Sequence, residues 1–275
     1  MIKIAIYGKG GIGKSTVTSG ISAALAVHGH KVMQIGCDPK SDSTINLLGG
    51  QMPPPILQYL QENGRPDDLD AVVRKGFGGT TCMEVGGPTP GIGCFGRGML
   101  TAFELLDEMD AYAKYAPDIV FYDILADIVC GGIAVPMREG FADKVFIVTS
   151  GEKMALLAAR NIILALRNFA DRHYAELGGL ILNRRDMPDE VERVQDFAKE
   201  METTIIGVIP RDRAIHTFEE QGKTIVEGDP GLPTSACFFD LARTVAAFAQ
   251  ERGAAPISDT KQEKRHACGQ CQHQN

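Results

Sequence analysis

The stretch Gly8-Lys9-Gly10-Gly11-Ile12-Gly13-Lys14-Ser15-Thr16 decides the fold of this 275-residue chain. It meets the pattern G-x-x-x-x-G-K-[ST], follows a short apolar run at residues 3–7, and precedes helical periodicity from residue 15 to about residue 28. A glycine-rich turn between a strand and a helix cradles phosphates with its backbone N–H groups. The sequence therefore predicts a loop that binds a nucleoside triphosphate, which we call the phosphate loop.

Each residue type in the phosphate loop has an expected role. Lys14 is expected to reach the β and γ phosphates, and the Ser15 hydroxyl is expected to bind Mg²⁺. The other residues expected to contact the nucleotide are Gly8, Gly10, Gly11, Ile12, Gly13 and Thr16. The alternative is a glycine turn that binds nothing, and the flanking strand and helix disfavour it.

Strands and helices alternate along the rest of the chain. Apolar, β-rich runs occur at residues 31–36, 118–122, 144–149, 179–182 and 204–209, and amphipathic stretches occur at 100–109, 154–169 and 190–201. This alternation predicts an α/β fold with a mostly parallel, doubly wound sheet, whose ligands bind at the carboxyl ends of the strands. Residues 76–98 have little periodicity and are expected to form a long functional loop.

Composition narrows the class of protein. The net charge of −7 and the pI near 5.4 disfavour a nucleic-acid partner, because phosphate contacts need clustered Lys and Arg. No apolar run has the length of a membrane span or the layout of a signal peptide, so we expect a cytoplasmic protein with no membrane partner. We expect one domain over residues 1–253 and a polar, flexible tail over 254–275.

Four aspartates follow two of the predicted strands. Asp38 and Asp42 follow the run at 31–36, and Asp123 and Asp127 follow the run at 118–122. Carboxylates near the phosphate loop orient water or hold Mg²⁺ through its waters. Asp123 is expected in the Walker-B position, and Asp127 or Asp38 is expected to position the attacking water. A turn or capping role is the alternative for any one of them.

A second lysine, Lys9, lies near the start of the phosphate loop. In this it resembles the deviant Walker A (SIMIBI) class of P-loop NTPases, which includes the Min and Par partitioning ATPases, arsenite-pump ATPases and nitrogenase iron proteins. In that class the extra lysine reaches the partner subunit's nucleotide. The resemblance implies a homodimer with ATP between its subunits and a role for Lys9 in hydrolysis. A solvated loop lysine is the alternative.

Two glycine-flanked cysteines, Cys94 and Cys130, stand alone in the sequence. A [4Fe–4S] cluster needs four thiolates, and two cysteines per subunit supply four across the two-fold axis of a dimer. Inert loop thiols are the alternative. Cys268 and Cys271 in the tail have a spacing suited to Zn²⁺, but a short polar terminus is more typical of a disordered segment.

Several long motifs closely resemble the nitrogenase iron protein and its nitrogenase-like relatives over residues 2 to about 230. They are YGKGGIGKST at 7–16, GCDPKSDST at 36–44, the GGPTPGIGC and GRG segments around Cys94, FYD-L-D-VCGG at 121–132, and SGE at 150–152. The resemblance implies a P-loop ATPase and iron–sulfur domain that hydrolyses MgATP. It implies one [4Fe–4S] cluster per homodimer, ligated by Cys94 and Cys130 of both subunits.

The same resemblance implies further roles. It implies that the protein delivers single low-potential electrons to a larger nitrogenase-like catalytic partner and receives them from a ferredoxin or flavodoxin. Arg97 corresponds to a docking arginine that some members regulate by ADP-ribosylation. The remaining residues assigned to the nucleotide are Lys40, Asn183, Pro210, Arg211, Asp212 and Glu219.

Several positions depart from the family pattern and indicate a paralogue rather than the nitrogen-fixing protein. The segment PKSDST also differs from the form typical of dark protochlorophyllide reductases. We favour the iron protein of a methylthio-alkane reductase, ahead of the cyclase that makes the nickel cofactor of methanogens. The departures are Ala126 in the second aspartate segment, Phe95, Lys153, Arg160 and His216.

Three other functions stay open at this point. One is a true nitrogenase iron protein. Another is a Min/Par-type regulatory ATPase, for which a membrane-binding end or a basic face is expected. The third is a scaffold for metal-cluster assembly, which the tail's C-x-x-C pair favours.

Overall fold

The computed structural model describes residues 1–87, 94–125, 134–138, 141–168 and 175–250. One eight-stranded sheet forms the centre, with the strand order β3-β4-β2-β5-β1-β6-β7-β8. The strands are β1 Ile2–Tyr7, β2 Val32–Cys37, β3 Arg74–Lys75, β4 Thr81–Glu84, β5 Ile119–Ile124, β6 Lys144–Thr149, β7 Glu176–Asn183 and β8 Ile205–Ile209. Only β3 pairs antiparallel among these strands, so the predicted mostly parallel sheet is confirmed.

Helices cover both faces of the sheet. They are α1 Lys14–Val27, α2 Ile56–Asn63, α3 Phe95–Glu108, α4 Ala111–Tyr115, α5 Lys153–Asn168, α6 Glu190–Glu200, α7 Arg213–Glu219, α8 Ile225–Gly228 and α9 Pro233–Gln250. Side chains of β1 alternate between the two resulting cores. Ala5 and Tyr7 pack in one core with α3 and α5, whereas Ile4 and Ile6 pack in the other with α1 and α9. The sheet is therefore doubly wound, as predicted.

The expectation of a single long loop over residues 76–98 is wrong in part. Residues Thr81–Glu84 form β4, all four buried, and α3 begins at Phe95 rather than near residue 100. A strand that is buried on both faces shows no alternation of apolar and polar residues. Glutamate, which ends this strand, also has a low intrinsic preference for strands. Pairing with β2 forms this strand, and the local sequence does not reveal it.

The site lies where the central strands end. In β2 and β5, Gly36 pairs with Asp123, and in β1 and β5, Ile6 pairs with Asp123. The carboxyl ends of three neighbouring parallel strands thus meet directly beside the phosphate loop. Within the described residues, no helix has the length and apolar character needed to cross a membrane.

Candidate functional site

The phosphate loop connects β1 to α1. Gly13 precedes the helix with φ 92°, and a Cβ built on it would lie 2.5 Å from Asn183 Nδ2, so only glycine fits this approach. Lys14 Nζ donates hydrogen bonds to the carbonyl oxygens of Gly8 at 3.0 Å and Lys9 at 3.3 Å. The lysine ammonium therefore lies inside the loop that its sequence predicts it to serve.

Side chains that follow β7 fasten the phosphate loop. Asn183 Nδ2 donates to the Ile12 carbonyl at 2.7 Å, and Arg185 Nη2 donates to the Gly11 carbonyl at 2.7 Å. The structure thus places Asn183 directly against the phosphate loop. Sequence reasoning missed Arg185, although it lies only two residues after Asn183.

A buried glutamate organises this fastening loop. Both carboxylate oxygens of Glu190 accept from the backbone N–H of Arg185, at 3.0 and 2.9 Å, and one accepts from Gly151 N at 3.2 Å. The Glu190 carboxylate thus joins the segment after β6 to the segment after β7. The sequence does not indicate this role for Glu190, because an acidic residue at the start of a helix is ordinarily explained by the helix dipole.

Asp123 ends β5 next to the phosphate loop and is 3% exposed. Its Oδ2 accepts from Ser43 Oγ at 2.6 Å, while its Oδ1 is buried without a hydrogen-bond partner among the described residues. Burial raises the pKa of Asp123, and hydrogen bonds from Ser15 and Ser43 oppose that rise. An orphaned carboxylate oxygen beside the Ser15 hydroxyl fits a hard divalent cation such as Mg²⁺.

A cleft of about 290 Å³ joins these elements. The glycines of the phosphate loop and three acidic side chains share it, so the structure brings most of the predicted nucleotide residues together. The residues that line it are Gly10, Gly11, Gly13, Lys14, Ser15, Thr16, Asp38, Lys40, Asp42, Asp123, Ile124 and Leu125.

The segment of residues 38–44, which we call the nucleotide loop, forms one wall of the cleft. Asp38 Oδ1 accepts from Lys40 N at 2.9 Å, so this aspartate closes a turn as well as lining the cleft. Asp42 and Lys40 are exposed. Ser43, which sequence reasoning did not single out, makes the contact with Asp123 described above.

Other residues assigned to the nucleotide lie beyond β8. Pro210, Arg211 and Asp212 connect β8 to α7, and Asp212 caps that helix through Ala214 N at 2.8 Å. Its other oxygen accepts from Thr234 Oγ1 at 2.6 Å. Glu219 Oε1 accepts from Thr16 Oγ1 at 2.5 Å and from Asn46 Nδ2 at 3.3 Å, which ties α7 to the phosphate loop.

Cys94 is exposed and directly precedes α3, where Arg97 is also exposed. Cys37, Cys82 and Cys237 are buried, and burial raises the pKa of each of these three thiols. Protonated, enclosed thiols are poor metal ligands. Of the described cysteines, only Cys94 therefore suits an iron–sulfur cluster.

The other predicted cluster ligand, Cys130, lies outside the described residues, as do Asp127, Ala126, Cys268 and Cys271. Among the residues that are described, no three His, Cys, Asp or Glu side chains gather as a metal site. A cluster at Cys94 thus needs thiolates from beyond them, which is compatible with ligands shared across a dimer.

The remaining departures from the family pattern lie mostly at the surface. Arg160 pairs with Glu200 at 2.9 Å across α5 and α6, and His216 lies 3.2 Å from Glu220. Lys153 is exposed. Phe95 is half-buried and packs against the core, so it is less available for docking than its position beside Cys94 predicts.

Comparisons with known proteins agree with this geometry. The family model described as 4Fe-4S iron sulfur cluster binding proteins, NifH/frxC family, matches residues 2–266, beyond the end of the quoted motifs. Among solved structures, the cell division protein MinD of Aquifex aeolicus is 26% identical with TM-score 0.67, covering 94% of this chain and 100% of that chain. The cell division ATPase MinD of Pyrococcus furiosus is 21% identical with TM-score 0.70, covering 90% and 99%. A ParA family ATPase from Chlorobium tepidum TLS is 19% identical with TM-score 0.67, covering 88% and 97%.

Proposed function

Because the chain belongs to the NifH/frxC family of 4Fe–4S iron–sulfur cluster-binding proteins, we propose that it is the ATP-dependent reductase component of a nitrogenase-like enzyme. The observation that carries the proposal is the family match over residues 2–266 together with an exposed Cys94. The protein hydrolyses MgATP and delivers single low-potential electrons to a larger catalytic partner.

The nucleotide end of the proposed reaction uses the cleft. Backbone N–H groups of the phosphate loop and Lys14 bind the phosphates, and Ser15 and Asp123 hold Mg²⁺. Asp38, together with Asp127 outside the described residues, positions the attacking water. Lys9 acts on the nucleotide of the second subunit in a homodimer. Asn183, Pro210, Arg211 and Asp212 contact the adenine. Glu219 is also assigned to the nucleotide site.

The redox end uses Cys94 and Cys130 of both subunits, which would hold one [4Fe–4S] cluster per homodimer. When bound, the cluster supplies a one-electron redox centre. A ferredoxin or flavodoxin would supply the electron, and Arg97 would contribute to docking of the catalytic partner. Residues 1–253 are the proposed functional domain, the expected tail at 254–275 lies outside the described residues, and the proposed place of action is the cytoplasm.

Iron binding tests this proposal most directly. We expect anaerobically reconstituted protein to hold about four iron atoms and four sulfides per dimer, as a single shared cluster requires. Cys94→Ala should lose this iron, whereas Cys82→Ala, which removes a buried thiol, should keep it. Iron near zero in the unmodified protein would refute the proposal.

The subfamily is a separate part of the proposal. The departures at Lys153, Arg160 and His216 separate this chain from the nitrogen-fixing pattern, and the PKSDST segment separates it from the dark protochlorophyllide reductases. Among the remaining nitrogenase-like systems we favour the methylthio-alkane reductase. Reduction assays with dithionite, MgATP and the co-purified catalytic partner test it. Reduction of dinitrogen but not of methylthio-alkanes would assign a true nitrogenase iron protein instead.

Similarity to MinD and ParA proteins favours one second candidate, a regulatory ATPase of the same fold. That function needs no cluster. Co-sedimentation with anionic liposomes or DNA that depends on MgATP, in protein free of iron, would support it. Protein with a full cluster and no such co-sedimentation supports the reductase component.

A further inference from the structure

Glu84 is a buried carboxyl group at the end of β4, and none of the roles above uses it. The residue is 0% exposed, although glutamate is seldom buried without a function or a partner. Its Oε1 accepts two hydrogen bonds from one residue of the nucleotide loop, from Thr44 N and Thr44 Oγ1, both at 2.7 Å. A single carboxylate oxygen thus holds both polar groups of Thr44.

The residue before Thr44 connects it to the nucleotide cleft. The neighbouring Ser43 donates to Asp123, and its carbonyl accepts from Ser19 Oγ at 2.9 Å and from Gln34 Nε2 at 3.0 Å. These contacts fix the base of the nucleotide loop against α1 and β2. Within the described residues, Glu84 is the side chain that extends this network to β4.

The glycine at position 36 leaves the space that the Glu84 carboxyl group occupies. A Cβ built on Gly36 of β2 would lie 1.8 Å from Glu84 Oε2. Any residue other than glycine at position 36 therefore displaces this carboxyl group. The glycine that opens the GCDPKSDST motif is accordingly a packing requirement of Glu84.

After Glu84 the structure describes the chain as far as Gly87 and again from Cys94. Val85 N donates to the Gly36 carbonyl at 2.8 Å, which extends the β2–β4 pairing by one residue. Gly87 then packs on the nucleotide loop itself, since a Cβ built on it would lie 2.7 Å from Pro39 Cβ. The segment after β4 therefore contacts the nucleotide loop at Glu84 and again at Gly87.

We infer that Glu84 is a positioning residue that couples the state of the nucleotide site to Cys94. A shift of the nucleotide loop at Ser43 moves Thr44, and the two hydrogen bonds to Glu84 pass that shift to the strand that leads to Cys94. The coupling rests on the proposed function only in assigning the cluster to Cys94.

Alkylation of Cys94 tests the coupling without requiring a cluster. In cluster-free protein, the rate of N-ethylmaleimide labelling at Cys94 is measured by peptide mass spectrometry, with and without a non-hydrolysable MgATP analogue. We expect the analogue to change this rate by about fivefold or more, the lower range of usual coupling between sites. Glu84→Leu should bring the ratio close to one, and Thr44→Val, which removes one of the two bonds, should reduce it in part.

Two variants separate coupling from packing. Glu84→Gln keeps an oxygen acceptor for Thr44 and should retain the wild-type ratio. Cys82→Ala removes a buried side chain from the same strand without touching Thr44, and it should also retain the ratio. Calorimetry should show analogue affinities within about threefold of wild type, less than one tenfold step of 1.4 kcal/mol.

Three outcomes would overturn the inference: no effect of the analogue in the wild-type protein, a full effect in Glu84→Leu, or equal loss in Glu84→Gln and Glu84→Leu. If Glu84→Leu does not fold, the labelling ratio of Thr44→Val decides the question: a partly reduced ratio supports the inference, and a wild-type ratio overturns it. Absence of iron after reconstitution would refute the proposed function but leave this alkylation result intact. The two failures are therefore distinguishable.

Discussion

Ser43 Oγ lies 2.6 Å from Asp123 Oδ2 and donates a hydrogen bond to it. Both residues are almost fully buried, at 2% and 3% exposure. The bond joins the nucleotide loop after β2 to the end of β5, two segments that are far apart in sequence. The nucleotide loop and the end of β5 therefore move together, because any displacement of the loop changes the hydrogen bonding of the Asp123 carboxylate.

Ser43→Ala should lower MgATP hydrolysis. A hydrogen bond to a charged group contributes about 1.5–3 kcal/mol, so kcat should fall roughly 10- to 100-fold if Ser43 orients Asp123 in the transition state. Phosphate release under saturating MgATP measures this. The matched control is Ser235→Ala, a buried serine that bonds to Ile225 O and Asp229 O away from the cleft. Equal losses in the two variants would contradict an orienting role.

Asn183→Ala should weaken nucleotide binding. The variant loses the 2.7 Å bond to the Ile12 carbonyl that fixes the phosphate loop. A neutral hydrogen bond contributes about 1 kcal/mol, which corresponds to roughly a fivefold rise in the Kd for MgATP. Isothermal titration calorimetry measures it. Asn161→Ala, an exposed asparagine on α5, is the control, and an unchanged Kd in Asn183→Ala would argue against this role.

Sequence predicted the parts of this site that depend on local backbone geometry. The phosphate loop, β1 and α1 are adjacent in the chain, so glycine spacing and periodicity were enough to place Lys14 and Ser15. Glu84, Arg185 and Glu190 act through contacts between distant segments, and nothing in their local sequence indicates which segment they meet. The strand β4 was missed for the same reason, because pairing with β2 stabilises it.

Glu84→Gln should change the pH dependence of stability. Burial raises the pKa of Glu84 from 4.5 to about 8, the negative charges of Asp123 and Asp42 add to the rise, and hydrogen bonds from Thr44 oppose it. A raised folded-state pKa means that the stabilising effect of the protonated form is complete below about 4.5. It declines as pH rises towards 8 and is constant above that value.

The glutamine variant carries no proton at this position to lose. The difference between its free energy of unfolding and that of the wild type should therefore shift in favour of the variant as the pH rises from 5 to 8. The shift is at most about 5 kcal/mol, at 1.36 kcal/mol per unit of pKa shift. Urea unfolding at several pH values measures the difference. Glu62→Gln, on the exposed surface of α2, should show no such gain, and a parallel pair of curves for Glu84→Gln and wild type would rule out a raised pKa.

Cys94 should react with alkylating agents far faster than the buried thiols. Burial raises the pKa of Cys82 to about 12 and that of Cys237 to about 11, which leaves little thiolate at neutral pH. Each unit by which burial raises a thiol pKa lowers the thiolate fraction about tenfold, so the two buried thiols hold roughly 100- to 1,000-fold less thiolate than an ordinary thiol, and burial also shields them from the reagent. Cys94 is exposed to the reagent, so its labelling should be much faster than theirs. Mass spectrometry of iodoacetamide-treated, cluster-free protein measures the rates. Comparable labelling of Cys82 in folded protein would contradict its burial.

A double-mutant cycle tests whether Gly36 is glycine because of Glu84. Gly36→Ala should destabilise the protein strongly, since the new Cβ meets Glu84 Oε2 at 1.8 Å, Glu84 Cδ at 2.5 Å and Ser43 Cβ at 2.6 Å. Glu84→Ala should also destabilise it, because Thr44 N and Oγ1 lose their acceptor. In the double variant the first two clashes disappear and only the clash with Ser43 remains.

The two losses should therefore be less than additive. We expect an interaction energy of about 0.5–3 kcal/mol, the range for residues in direct contact, from urea unfolding of the four proteins. Gly29→Ala, where a built Cβ meets nothing within 4 Å, serves as the control that should not couple to Glu84→Ala. Strict additivity of Gly36→Ala with Glu84→Ala would mean that Ser43 alone requires the glycine, and the packing argument for Glu84 would fail.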